Sequence, residues 1–565
     1  MTGMNFRIAL KAMVALGLCG FVSMSVYGEV ADWDLRAYEG VASDFDITDL
    51  EQVQSCVALD ELGNIGWSQI RNKVPFAIEQ GELDVMWLGA DGVDHEVYSH
   101  DMVNVGYTKR MAIEGGALFW HAEEWEPIGD STNYFTVRDK CFVSRGDQVV
   151  KALDIYSEGY LQSGKRANAT QWLRGVKGLR EDGSFVAYVR EAAEGGFTDG
   201  YYRLHYSDGR DPVDLIGWGS HEVEVDGQTM GVSFDHSSHG SSMLGMLALP
   251  DGGYAFTSAV DSYSMNDQQV LLFRVDVENG ISERTALVSW EDMDAKLPNA
   301  GAGSHLFNYF NSTPMGMNSS GDIALISYSF GTTQTENPVL EYLFTTSGNK
   351  IELATGLDPD SSVRYAAYNA TAYDSMIYTD QGRIAFMGKV LTILPSFYVY
   401  EDGEVITAGT TGEVYEGVNG RVFEYVGHKH LYTPPIPNDS SNPSAFQQPA
   451  EDGVELMNDA AGNIVFNTVV KVDGENGMGL LLYDVDGVLS LLIKEGDELM
   501  VDGEMKQIYD IDYQGFELNR DGLLAVGVVF DDGSQGVYTM MIPEPSGLVL
   551  LGLGGLMMMR KREIA

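Results

Sequence analysis

Asn318-Ser-Ser-Gly321-Asp-Ile-Ala324-Leu325, Thr379-Asp-Gln-Gly382-Arg-Ile-Ala385-Phe386 and Asn519-Arg-Asp-Gly522-Leu-Leu-Ala525-Val526 are three copies of one phrase. A short polar side chain caps a tight turn, glycine takes the positive φ that the turn needs, and an alternating strand follows. Looser copies begin at Asp60, Gly183, Gly252 and Asp459, and Gly115 to Phe119 is a weaker eighth candidate. Their glycines fall roughly 50 to 80 residues apart, the range of a propeller blade with insertions and too long for a helical solenoid repeat. A small residue three places after the turn glycine lets neighbouring strands approach near a crowded axis, and the larger residue after it fills the gap between sheets.

A second phrase follows most copies: an apolar-alternating strand that ends in an acidic or Asn-Gly turn. Examples are Tyr202 to Gly209, Leu271 to Gly280, Phe397 to Gly403 and Leu481 to Gly487. This is hairpin patterning, with period two and glycine at the turn. Turn, strand, hairpin and return strand predict about four strands per unit. The helical-looking patches at Lys109 to Ile113 and Trp290 to Lys296 are short, so the expected fold is all-β, a propeller of seven or eight blades. The last repeat runs from Gly536 to Met540 straight into the C-terminal tail and lacks an outer strand. A strand drawn from Asp32 to Leu59 is expected to supply it and to close the ring.

The body resembles tandem-repeat surface proteins that carry the phrase Asn-x-x-Gly-x-x-Ala-Phe, over about Asp60 to Val526. Arg180 and Leu249 stand at the Asn position and Val465 at the Ala position, departures from that pattern. The resemblance implies a fold and a surface location, and it carries over no catalytic residue.

Both ends of the chain read as addresses. Arg7 and Lys11 precede an apolar run from Ala12 to Val26, with small Gly28 at signal-peptide cleavage spacing. At the other end, Pro543-Glu544-Pro545-Ser546 precedes an apolar run from Gly547 to Met559 and the cluster Arg560-Lys561-Arg562. The run is shorter than the roughly 18 to 20 residues that span a bilayer comfortably, so a transient anchor is expected, with an uncut C-terminal membrane helix as the alternative. This tail resembles the PEP-CTERM sorting signal of Gram-negative bacteria. That resemblance implies an exosortase-type processing enzyme, a cut near Pro543 to Ser546, an inner-membrane intermediate, and delivery to the cell surface or an exopolysaccharide matrix. The expected division is a signal peptide at 1–28, a propeller at 29–541 and a sorting and anchor segment at 542–565, with a short helix at each end of the chain.

The formal charge is -48, with 83 acidic residues scattered along the chain. It argues against nucleic acid, whose phosphates would be repelled, and is compatible with divalent cations such as calcium. The hydrophobic content of 44% suits a large core. Cys19 leaves with the signal peptide, so Cys56 and Cys141 remain; a bridge between them and two buried thiols both fit an oxidising compartment.

No cofactor is called for by any motif. Asp235, His236 and His239, with His221 upstream, carry zinc-type ligand atoms in a short loop, but their spacing matches no metalloenzyme signature. His428 and His430 precede a proline-rich loop. Asp473 to Asn476 and Asp484 to Gly487 lack the ligand spacing of an EF-hand and read as acidic β-turns. No nucleophile elbow, zinc-protease helix or phosphate loop is present. The expected function is a noncatalytic surface or matrix scaffold that binds polysaccharide, protein or divalent ions. The alternative is a secreted propeller glycoside hydrolase or polysaccharide lyase, with carboxylates at the central channel and Trp120, Trp125 or Trp218 as sugar platforms, although packing between blades is the expected role of those tryptophans.

Overall fold

The computed structural model describes residues 33–39, 57–71, 80–89, 94–103, 105–127, 134–145, 148–161, 171–193, 196–204, 213–216, 219–225, 228–234, 246–260, 269–278, 281–287, 315–329, 340–347, 350–355, 363–366, 376–390, 396–427 and 456–542. Among these residues all regular structure is β, gathered into eight sheets of four to six strands. The patch from Lys109 to Ile113 lies in the strand Val105–Glu114; the patch from Trp290 to Lys296 lies outside the described residues.

The fifth sheet shows the plan. Its strands Met315–Met317, Ile323–Ser329, Leu340–Thr345 and Lys350–Thr355 pair antiparallel in chain order. The short first strand is the inner one. Inner strands of successive sheets touch, from Met315–Met317 to Met376–Tyr378, on to Leu456–Asn458, to the end of Glu504–Leu518, and from there to Val57–Leu59 of the first sheet. The sheets therefore stand in a closed ring, a β-propeller arrangement.

The outer strand of the last sheet is Asp34–Glu39, paired antiparallel with Gln535–Met541 from Asp34 opposite Thr539 to Glu39 opposite Gln535. The N-terminal segment thus completes the sheet that the C-terminal repeat begins, and it covers an otherwise open edge. Lys506 fastens the join: its Nζ donates to the Tyr38 hydroxyl at 2.8 Å and pairs with Asp532.

The sheets interlock through the residue pair that the repeat phrase supplies. Ala385 faces the seventh sheet with Phe397, Leu456 and Ile464, while Phe386 faces the fifth with Ala324, Leu343 and Met376. Ala525 likewise meets Val57 and Trp67 of the first sheet, and Val526 turns back to Leu480 and Leu482 of the seventh. Successive side chains on a strand point to opposite sides, so one phrase serves two interfaces. Gly316 marks how close the inner strands come: a Cβ there would lie 2.7 Å from the backbone carbonyl carbon of Ile377 in the next sheet. Trp120 is fully buried and stacks on Phe142 at 5.2 Å, packing between the first two sheets, so it is not a sugar platform.

Antiparallel order fixes which connections share a face of the ring. Turns from inner to second strand, and from third to outer strand, fall on one face. Connections from second to third strand, and from the outer strand to the next inner one, fall on the other. The first face is built of tight turns such as 60–64, 318–322, 402–403 and 519–522. The second receives the long connections, among them 288–314, 330–339 and 428–455. Three of the connections from an outer strand to the next inner one also carry hairpins; one of them, Gly219–Val225 with Gln228–Phe234, joins the edge of the fourth sheet. The other two, Val414–Glu416 with Val422–Gly427, and Glu498–Val501 with the start of Glu504–Leu518, bring Phe423 and Tyr425, and Leu499 and Val501, into the interfaces beside the seventh sheet.

Candidate functional site

The tight turns that begin the second strands meet around the ring axis, and each is built by the repeat phrase. Asn318 Oδ1 accepts from the Ser320 and Asp322 amides at 3.1 and 3.0 Å, and Gly321 closes the turn at φ 84° by donating to the Asn318 carbonyl. Asp60 does the same with the Leu62 and Asn64 amides at 2.9 and 2.8 Å. Thr379, Asp459 and Asn519 each accept the amide four residues on.

The departures have physical reasons. Arg180 keeps the backbone turn, with the Gly183 amide donating to its carbonyl, and sends its guanidinium to the fourth sheet. There it donates to the Tyr254 hydroxyl at 3.0 Å and the Gly253 carbonyl at 2.7 Å, over the Tyr254 ring. Leu249 buries its side chain in the interface of the fourth and fifth sheets. The second sheet uses the two-residue turn Gly115-Gly116, both at positive φ.

The turn tips hold one another. The Ser319 amide donates to Asp380 Oδ1 at 2.8 Å, the Ala460 amide to the Arg520 carbonyl at 2.8 Å, and the Arg520 amide to Glu61 Oε2 at 3.0 Å. Asn519 Nδ2 reaches the Asp60 carbonyl at 3.1 Å. The Arg520 guanidinium, from the eighth turn, pairs with Asp380 of the sixth at 2.6 Å and so passes the turn between them.

This mouth is strongly acidic. Crowding by the surrounding turns thins the hydration of Glu61 and raises its pKa; Asp521 and Asp60 push the same way, against Arg520. Glu114 is raised by the same crowding and by Glu181, Glu61 and Asp60. Burial would raise Asp380 too, but its bonds to Ser319 and its pairing with Arg520 hold it below the usual carboxylate range. Ala112, Leu247, Ile377 and Met457 are half-buried on the inner strands and pack against the cores between sheets. Such a mouth favours cations over anions and offers two carboxyls that hold protons more tightly than usual. Among the described residues, no group of three or more His, Cys, Asp or Glu is placed to hold a metal ion.

Sequence reasoning missed this mouth. Glu61, Asp380 and Arg520 occupy the variable places of the repeat phrase, and closing the ring stacks those places together; aligning the copies and reading only the variable columns would have found them.

The residues singled out in the sequence fall elsewhere. Asp235, His236 and His239 lie outside the described residues, as do His428, His430, Trp218 and the tail from Pro543 through Arg562. His221 lies in the strand Gly219–Val225. Cys141 is buried between the second and third sheets with Val143 and Phe185, and Cys56, its candidate partner, lies outside the described residues. Asp473-Gly474 is a tight hairpin turn, and Asp484 Oδ1 accepts from the Asp486 and Val488 amides at 2.9 and 2.8 Å. Both acidic stretches are structural turns. Among the described residues no helix is long and apolar enough to cross a membrane.

No protein-family profile matches this chain, and no curated protein matches it. Solved structures do. Saccharomyces cerevisiae Sqt1 is 11% identical, with 87% of this chain and 97% of that one covered and a TM-score of 0.37. A polysaccharide lyase of a new family, an ulvan lyase, is 12% identical, with 79% and 94% covered and a TM-score of 0.31. The Aleuria aurantia lectin, a six-bladed β-propeller, is 12% identical, with 64% and 98% covered and a TM-score of 0.24. Likenesses this slight carry no count of blades and no activity to this chain.

Proposed function

We propose that this is an exported surface or matrix protein whose propeller, a ring of eight blades, is a noncatalytic binding scaffold, delivered by a PEP-CTERM-type tail. The observation that carries the reading is the division of labour between the faces. The last described residue, Ile542, is bonded to Gly522 of a tight turn, and Asp34 lies beside Thr539 at the same edge, so both ends of the described chain leave from the tight-turn face. The long connections leave from the other. A body tethered through its ends presents its variable connections away from the tether, where extracellular polysaccharide or surface proteins would be met. The blade count rests on the eight sheets and on the closure of the last by Asp34–Glu39. A processing enzyme of the exosortase type and a membrane intermediate belong to this reading.

The test is to incubate the purified body with a panel of acidic and neutral glycans and record binding and product formation together. Binding without turnover is the expected outcome. A second reading, a glycan hydrolase or lyase, is favoured by the raised pKa of Glu61 and Glu114 at the mouth, which suits a general acid. Turnover abolished by Glu61→Gln or Glu114→Gln, with the fold intact, would replace the scaffold with an enzyme.

A further inference from the structure

Among the described residues seven large apolar side chains are exposed, and five of them, Val414, Val422, Met500, Met505 and Tyr509, belong to the two hairpins that flank the seventh sheet. Apolar side chains scattered singly over a surface are ordinary; their concentration on two hairpins is not. Nor does the fold need them there. In the hairpin of Glu498–Val501 with Glu504–Leu518, Leu499, Val501 and Ile508 are buried and hold it to the interface of the seventh and eighth sheets. The strand alternation turns Met500 and Met505 the other way, where they are 54% and 52% exposed. Polar residues at those two places would serve the hairpin as well.

The arrangement is fixed. Met500 pairs across the ladder with Met505, the turn Asp502-Gly503 between the strands has both residues at positive φ, and the Tyr538 hydroxyl of the last sheet donates to the Met500 carbonyl at 3.2 Å. On the other hairpin Val414 stands opposite Glu424 and Val422 opposite Glu416, with Phe423 and Tyr425 buried on the inner side. The two hairpins are tied together, because Arg421, next to Val422, pairs with Asp497, next to Glu498, at 2.8 Å.

Charge then selects what can lie on this surface. Three cations beside it are already bound within the chain, Arg421 to Asp497, Lys471 to Glu424 and Lys506 to Asp532. Glu416, Glu498, Asp502 and Glu504 are exposed among the apolar groups. A second copy would bring the same acids on a chain of formal charge -48, and an anionic glycan or lipid surface would be repelled. Neutral sugar is poorly served, since thioethers and valines offer no flat ring and Tyr509 is the one aromatic among the five. We propose that these two hairpins are a docking surface for another protein, through a segment that sets Lys or Arg among aliphatic or aromatic side chains. Methionine suits the task, because its unbranched thioether adapts to the apolar side chain that arrives. The inference rests on the scaffold reading and deepens it, naming the part of the open face that binds and the class of partner.

The test presents the purified full-length protein to four short immobilised peptides that alternate Lys with Leu, Lys with Ser, Glu with Leu and Glu with Ser. The Lys/Leu peptide should bind, and the double variant Met500→Gln/Met505→Gln should weaken that binding at least about tenfold. Leu62→Gln, which removes a side chain 71% exposed on the opposite, tight-turn face, should change it less than about twofold. Met500→Leu/Met505→Leu keeps the apolar surface and should retain binding, which separates lost contact from a damaged fold. Binding that survives the Gln variant, or a Lys/Ser peptide that binds as tightly as Lys/Leu, would overturn the docking surface. A Glu/Leu peptide that binds as tightly would overturn its charge preference. Dimerisation in sedimentation, or capture by phosphatidylcholine vesicles, abolished in the Gln variant would give the surface to a second copy or to lipid and overturn the proposal. Glycan turnover would sink the scaffold reading and leave the peptide result standing, whereas glycan binding with no peptide binding would sink this inference alone.

Discussion

Among the described residues, the connections on one face of the ring are turns of a few residues with fixed hydrogen bonds; on the other face the intervals between strands include 288–314, 330–339 and 428–455. The same sheets join both faces, so the difference does not come from the strands. It comes from how close the ends being joined lie to the axis. Turns from inner to second strand sit where neighbouring sheets crowd together. Ser319 meets Asp380 there, Ala460 meets Arg520, and Arg520 meets Glu61, which leaves no room for an inserted loop. Connections from an outer strand to the next inner strand are not pinned by neighbouring turns in this way, and added length in a flexible connection costs only about 0.6 kcal/mol per doubling. The crowded face holds the ring together, and the open face is where new binding chemistry can be added.

The sharpest way to break this comparison is to open the ring at its closing edge. Deleting residues 33–39 uncovers Gln535–Met541 and removes Trp33, Leu35 and Tyr38 from the last core cluster, so the loss should exceed about 4 kcal/mol, the range of severe lesions. A thermal melt that does not move would show that the strand is not the closing element. Crowding at the axis is tested by Gly316→Val. Its side chain would collide with the backbone of Ile377 and Tyr378, and overpacking of this kind costs about 1–3 kcal/mol. A stability unchanged in denaturant titration would mean that the inner strands have slack.

The two faces are contrasted directly by exchanging lengths. A six-residue Gly-Ser insertion after Ser320, in a tight turn, should destabilise by more than about 1 kcal/mol, because it breaks an Asn-capped turn and its bond to Asp380. The same insertion in the connection 428–455 should change the melt by only a few tenths of a kcal/mol. Equal effects would erase the distinction.

The smallest effect sharpens the electrostatic side. The carboxyls of Glu61 and Glu114 are raised above their ordinary 4.5 in the folded ring, so the folded state binds their protons more tightly than the unfolded chain does. Their contribution favours folding at low pH and is lost as pH rises from 4.5 through the raised values. Asp380 and Asp532 are lowered and act in the opposite sense: their contribution is present above 3.8 and is lost as pH falls through their folded values. Glu61→Gln together with Glu114→Gln should therefore flatten the decline in stability above pH 4.5 and leave the acid-side loss in place. Parallel pH profiles for variant and wild type would remove these carboxyls from the account.

The repeat phrase told the local story well. Gly321, Gly382 and Gly522 sit at φ 84°, 86° and 83°, and the capping side chains of Asn318 and Asn519 accept the amides that the spacing implies. Even the irregular copies were readable as turns. What they did with the freed position was not: Arg180 reaches a tyrosine 74 residues away, and nothing near it in the chain announces that partner. Trp120 packs between sheets as expected, but its partner Phe142 was not legible. An aromatic residue on an alternating strand is legible as large and half of a pair, but whether it faces sugar or the neighbouring sheet depends on what closes over it. The acidic mouth was illegible for a related reason, since its members are single residues in separate repeats and their proximity is a property of the closed circle.

By itself, then, the chain determined its elements: all strands, grouped in units of about four, punctuated by glycine turns, with small and large residues set in alternation for two-sided packing. These are short-range consequences of backbone conformation and side-chain period, and a sequence carries them within a few residues. The missing outer strand of the last repeat also pointed to an N-terminal strand that seals the last sheet, and Asp34–Glu39 is that strand. Only the tertiary structure decided that Arg520 would pair across the mouth with Asp380, and that both ends of the described chain would leave from the tight-turn face. Those are contacts between segments up to hundreds of residues apart, and they exist only once the circle has closed.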